Sequence, residues 1–382
     1  MRTGIANLPL HYGRMPAWLF ERMTKLARAI IEAMVYEFGN QEVLNRLSDP
    51  YWFQSFGCVL GFDWHSSGLS TTVCGAIKEA LRGTENELGI FVAGGKGKTS
   101  RKTPTEIELY GEKYSISQIP DLVYASKMSA KVDNTAVQDG FQIYAHTFIF
   151  TEDGQWTVIQ QGMNPEIGMA RRYHWLSNQV QSFVNEPHSA VCCDWRGEVL
   201  NLVARESEST RETSVTLVTD GFNEFMKDLT KIKTLEMPKH HNITLGDLKS
   251  DKFIRNSLKF VIRRRGLSKI QMLINFDSPR LRQTLFHLHE HKPQNFEELL
   301  GTQGVGPKTI RALALVSEVI YGAKPSYEDP VRYSFAHGGK DGTPYPINQK
   351  QYDKSIEILE KAIRKAKIGQ SDKIRTLKSL YE

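Results

Sequence analysis

The residues with the clearest chemical purpose stand in the run Gly304-Val305-Gly306-Pro307-Lys308-Thr309. Two glycines around one apolar residue let the backbone turn sharply, and their amides are left beside a helix start, where anions bind. Pro307 suits a first helical turn, which has no use for the missing N–H. Ile310, Leu313, Ala314 and Val316 follow at helical spacing, and Phe296 to Gly301 reads as a shorter helix before the turn. A cation at Lys308 opposes the helix dipole, so an anionic partner explains it better than helix stability does. Such a lysine can hold phosphate as a charge or, once deprotonated by burial or a neighbouring cation, attack an electrophilic carbon. The bland alternative is an ordinary glycine turn between packed helices.

A second set of groups could hold a divalent metal. Asp63 and His65 lie in a polar loop ahead of a helix expected over 71–82, where Ser and Asp also serve as turn and cap residues. Asp133 and Asp139 precede two alternating segments, Phe141–Phe150 and Trp156–Gln161, that read as a hairpin turning at Glu152-Asp153-Gly154. Carboxylates on paired strands suit Mg or Mn, but Gln160 and Gln161 end the second strand, and an amide is a poor ligand beside a carboxylate. These four residues define a metal-dependent nuclease as an alternative; the principal reading needs no cofactor.

Basic residues cluster twice more. Lys96, Lys98, Arg101 and Lys102 fall in the loop Gly94–Pro104, which suits a nucleic-acid backbone or is a solvated surface. A nucleotide P-loop is excluded, because Val92 stands where its first glycine belongs, and Pro104 argues against a following helix. Arg171-Arg172-Tyr173-His174-Trp175 joins guanidinium forks to aromatic faces, a mix that grips phosphate and stacks an unpaired base. The alternative is a surface Arg pair beside core aromatics. His287 and His291 share a helix face without further ligands, and the four cysteines show no CxxC spacing, so thiolate-held zinc is not expected.

These groups must be positioned by a chain of 382 residues, long for one domain, with a mild net charge of +6. Residues 16–47 read as one or two amphipathic helices starting at Pro16 and broken at Gly39-Asn40. Leu88–Ala93 reads as a buried strand, 126–140 as a polar stretch, and 192–203 as a further strand; Ser214–Val218 fits a strand or a helix start. After Pro238 the pattern is helical, with helices expected over 251–265, 268–276, 279–291 and 352–367. The expected fold class is α+β. A mixed N-terminal domain with antiparallel strands covers 1–237, with a sub-boundary near 120–126, and an all-helical domain covers 238–382. No run reaches membrane-spanning length and no signal-peptide core is present, so a soluble, cytoplasmic protein is expected.

Two resemblances add to this. Asp63-Trp-His-Ser-Ser-Gly68, Lys131-Val-Asp133, Gln138-Asp-Gly140, Gln160-Gln-Gly-Met-Asn164 and Ala170-Arg-Arg-Tyr-His-Trp175 resemble an archaeal and bacterial family known only as a domain of unknown function, family 763. That likeness implies no mechanism. The last third, with Gly304-Val305-Gly306-Pro307-Lys308 and a downstream aspartate, is similar to helix-hairpin-helix DNA glycosylases and abasic-site lyases. The resemblance implies DNA as partner, held through its backbone by Gly304, Val305, Gly306, Lys308 and Thr309; the two basic clusters offer Lys96, Lys98, Arg101, Arg171 and Arg172 as further contacts. It also implies Lys308 as a Schiff-base nucleophile and Asp329 as its carboxylate assistant, with Tyr327, Tyr333, Phe335 and Trp175 available to wall a flipped base. The expected function is DNA repair or processing by a glycosylase or lyase. The alternatives are the metal nuclease and a non-enzymatic, structure-specific DNA-binding protein.

Overall fold

Pro16 and Gly39 bracket the first helix as their chemistry dictates. In the computed structural model, which describes residues 8–10, 15–62, 66–235, 278–331, 349–366 and 369–381, α1 (Ala17–Phe38) begins just after Pro16. It stops at Gly39, whose φ of 83° suits a residue without Cβ, and α2 (Asn40–Ser48) follows at once. Asp49 caps α3 (Pro50–Val59), which carries Tyr51, Trp52, Phe53 and Phe56, by accepting the Tyr51 and Trp52 amides. Next come α4 (Gly68–Leu81) and the short α5 (Glu85–Leu88).

The buried apolar run becomes β1 (Ile90–Lys96). Within it Gly94 has φ of 89°, and a Cβ there would meet the His146 carbonyl oxygen at 2.2 Å. A 3-10 turn over Gly97–Lys102 then leads into α6 (Thr103–Tyr114). The expectation that Pro104 prevents a helix is corrected: it occupies the first turn, where proline is tolerated. The polar stretch at 126–140 is corrected too. It belongs mostly to α7 (Ile119–Thr135), with Leu122, Ala125, Met128 and Val132 buried at helical spacing.

After the two-residue β2 (Val137–Gln138), β3 (Gln142–Thr151) and β4 (Trp156–Asn164) form the expected hairpin. β5 (Met169–Leu176) and β6 (Ala190–Cys192) complete an antiparallel sheet of order β1-β3-β4-β5-β6. β7 (Leu200–Asn201) pairs with β2. Ser214–Val218 lies in α8 (Glu208–Thr219), which resolves that ambiguity in favour of helix, and α9 (Phe222–Leu235) follows. The later helices are α10 (Pro279–His291), α11 (Phe296–Gly301), α12 (Pro307–Val319), α13 (Gln349–Lys365) and α14 (Gln370–Tyr381).

The class is α+β, with helices on both faces of the sheet. One face carries Phe91, Phe148, Phe150, Val158 and Trp175 into a core shared with α6, α7, α8 and the α10–α12 helices. The opposite face carries Ile90, Val92, Ile149, Ile159 and Leu176 against α1–α4 and α13. The helical C-terminal segment therefore supplies part of the core of the mixed region. The expected boundary at 238 and the helices expected over 251–265 and 268–276 lie outside the described residues.

Candidate functional site

Burial on both faces leaves the sheet little room for polar side chains, yet one end of it is rich in them. On the α7 face the register aligns His146 with Gln160 and Gln160 with Tyr173. Asp133, wholly buried on α7, accepts from Gln160 Nε2 at 2.6 Å and from Trp175 Nε1 at 3.0 Å through one oxygen. Its other oxygen meets His188 Nε2 at 2.5 Å. Behind Gln160, its Oε1 lies 2.9 Å from His146 Nδ1, and His146 Nε2 lies 2.9 Å from Ser126 Oγ.

Donor and acceptor chemistry fixes the direction of this line. A carboxylate only accepts, so Gln160 must donate its amide to Asp133 and turn its carbonyl to His146. His146 therefore carries its proton on Nδ1. Burial pushes its pKa down to about 4, so the neutral ring takes the Ser126 hydroxyl proton as a hydrogen bond at Nε2. His188 likewise donates through Nε2 to Asp133. His188 lies on the wall of a cavity of about 270 Å³ that Asn201, Glu206, Glu328 and Asp329 also line.

Asp139 and Arg171 form a second buried cluster on the same face. Arg171, wholly buried, spans Asp139 and Asp329, both at 2.8 Å, and stacks over the Phe141 ring. Tyr173 donates to Asp139 at 2.5 Å, and Asp329 also accepts the Gly197 and Val331 amides. Burial raises Asp139 from its ordinary range against the opposing pull of Arg171, Tyr173 and the Phe141 amide. The two carboxylates in turn hold the guanidinium charged. On the other face, Arg172 is buried against Ser70, Gln54 and the Phe53 ring, and desolvation lowers it to about 10. The expectation that Arg171 and Arg172 hold DNA is thus corrected: a guanidinium with no accessible surface cannot reach a phosphate. Trp175 is equally enclosed and cannot wall a flipped base.

The turn at Gly304–Gly306 lies between α11 and α12. Gly304 has φ of 89°, in the left-handed region, whereas Gly306 at φ −144° is extended and a Cβ there would meet nothing within 4 Å. Two residues grip its carbonyls from the protein side. Lys131, on α7, donates to the Val305 carbonyl, and Gln138 donates to the Pro307 carbonyl at 2.9 Å while accepting from Arg311. No side chain caps α12, so its first amides have no partner within the helix. Lys308 is exposed on that first turn.

No hydrogen bond or ion pair joins Lys308 to Asp329 among the described residues; Asp329 is committed to Arg171. Lys96, Lys98 and Arg101 are exposed at the end of β1 and in the 3-10 turn. Of the alternative metal set, Asp63 and His65 lie outside the described residues. Asp133 and Asp139 belong to separate clusters, and no group of three or more His, Cys, Asp or Glu is arranged to hold a metal among the described residues. Tyr327 is half-buried and bonded to Glu318, while Tyr333 and Phe335 lie outside the described residues. His188 is the residue that sequence reasoning missed. It is a lone histidine in a loop whose partner Asp133 lies far away in sequence, so no local pattern announces it.

No described helix is long and apolar enough to cross a membrane. No curated protein and no solved structure matches the chain. The family model described as a protein of unknown function (DUF763) matches residues 4–347, and the chain belongs to that family.

Proposed function

We propose that this protein binds DNA through the phosphate backbone at the hairpin between α11 and α12, and that it acts in DNA repair or processing. One observation carries the reading. Lys131 and Gln138 hold the hairpin's carbonyls from behind, while the uncapped amides at the start of α12 stand beside the exposed Lys308. With the Val305 and Pro307 carbonyls bonded from the protein side and the Gly306 carbonyl bonded to the Ile310 amide, the start of α12 offers amide donors beside a positive charge, which is what a phosphate needs. Lys308 acts here as a phosphate contact. The carboxylate expected to assist it as a nucleophile is locked to Arg171.

Gly306→Val is the direct test, because its backbone and surroundings accept a side chain. We predict a folded variant with weaker binding to unrelated duplexes, measured by fluorescence anisotropy. Losing charge-assisted hydrogen bonds predicts a cost of roughly ten- to a hundredfold. Lys308→Ala should lower the dependence of affinity on salt by about one phosphate contact. Unchanged affinity in a folded Gly306→Val protein would remove the reading. Borohydride with an abasic duplex should trap no adduct; a Lys308-dependent adduct would instead establish lyase chemistry, and cleavage requiring Mg or Mn would establish the nuclease.

A further inference from the structure

The hairpin is tied to one end of the sheet, and the fold brings a second basic element to that same end. Lys96 closes β1 opposite Ala145 on β3, and the 3-10 turn Gly97–Lys102 continues from it. Near the start of β3, the Ile143 amide donates to Asn134 in the last turn of α7. Lys131, one turn earlier in α7, and Gln138, just beyond the helix, hold the hairpin's carbonyls. A chain of direct contacts thus joins the basic turn to the hairpin, although some two hundred residues of sequence separate them.

Charge supplies an independent observation. Lys96, Lys98, Arg101 and Lys102 are exposed, and none makes an ion pair among the described residues. The next carboxylate in sequence, Glu106, is taken up by Lys78 at 2.6 Å and by the Gly94 amide at 2.7 Å. Along the route to the hairpin, Tyr144, Gln142, Asn134, Gln138 and Lys131 reach the surface, all neutral or basic. Asp133 and Asp139, from the same stretch of chain, are buried. A surface of unpaired cations with no carboxylate between them attracts a polyanion. Gly97–Lys102 has no apolar side chain to bury in a bilayer, so a nucleic-acid backbone suits it better than a membrane surface does.

We propose that the turn over Gly97–Lys102 is a second backbone contact, so that hairpin and turn grip one DNA duplex at two places. This rests on the DNA-binding reading and deepens it by naming a duplex as the partner. Lys98, Arg101 and Lys102 supply the charge, while Lys96 stands over the Tyr144 ring at 5.8 Å. A duplex is stiff over so short a length, so contact at one place presents its backbone to the other.

The test uses the full chain and a fluorescein-labelled duplex of arbitrary sequence, read by anisotropy over a range of salt. Lys98→Ala, Arg101→Ala and Lys102→Ala combined remove exposed side chains, and thermal unfolding should match the parent's. This turn variant should bind about tenfold more weakly or worse, with the salt slope lower by about two to three. Lys354→Ala, Lys361→Ala and Arg364→Ala make an equal charge change on α13, against the other face of the sheet, and should stay within about threefold of the parent. A turn variant with the parent's affinity and slope overturns the proposal and leaves the hairpin reading intact. Equal weakening in the α13 variant also overturns it, as does tighter binding to phosphatidylserine vesicles than to duplex. If Gly306→Val and Lys308→Ala bind as the parent does while the turn variant does not, the hairpin reading fails, and the two-place grip with it.

Discussion

A carboxylate removed from water is tolerable only where donors surround it, and Asp133 has three, from Gln160, Trp175 and His188. Asp133→Asn replaces one acceptor oxygen by a donor that must face donors. We predict a loss of roughly 2–5 kcal/mol, read by chemical denaturation and by a change in Trp175 fluorescence. His146 makes a separate, pH-dependent prediction. Unfolded, it takes a proton near the usual 6.5; folded, only near 4. Between those values the unfolded chain binds more protons, so acid favours unfolding there. This contribution is fully present above pH 6.5 and is lost as pH falls through that window, by about 3 kcal/mol in all. His174, held well below its ordinary value by burial and Arg172, acts in the same direction. Stability measured across this range should fall less steeply in His146→Gln than in the parent; identical slopes would count against the buried neutral ring.

Among the elements, those that announce themselves by local chemistry were legible in the sequence. Pro16 and Gly39 mark α1, Glu152-Asp153-Gly154 turns β3 into β4, and Gly304 to Pro307 gives the hairpin. What misled were polar residue types in buried places. Ser126, Ser129 and Asp133 hide the helical period of α7, and Arg171-Arg172 reads as surface although β5 is a central strand with both faces covered. Their partners, Asp329 for Arg171 and Gln54 for Arg172, are far off in sequence, so only tertiary structure pairs them. Glycines were legible as turns but not by consequence. Gly94→Ala would force a side chain against the His146 carbonyl in a left-handed conformation and should cost about 2 kcal/mol or more in thermal or chemical unfolding. Gly306→Ala, in extended backbone with open space, should be close to neutral by the same measurement.

For the molecule as a whole, the shared core means that the α10–α12 helices are a wall of the sheet's own interior. Leu285, Leu299, Ile310, Leu313 and Val316 are fully buried in the cluster that also holds Phe148 and Trp175. A fragment ending at residue 237 should therefore expose that face, bind a hydrophobic dye and lose cooperative unfolding. A fragment that melts as sharply as the full chain would show two independent units instead. The line of hydrogen bonds from Ser126 through His146, Gln160 and Asp133 to His188 runs from this interior to the cavity wall. It resembles a wire, but Gln160 is an insulator within it. A carboxamide transmits orientation from one neighbour to the next, yet it has no proton to surrender without losing its amide form. No proton therefore passes along this line between His188 at the cavity wall and the buried His146 behind Gln160.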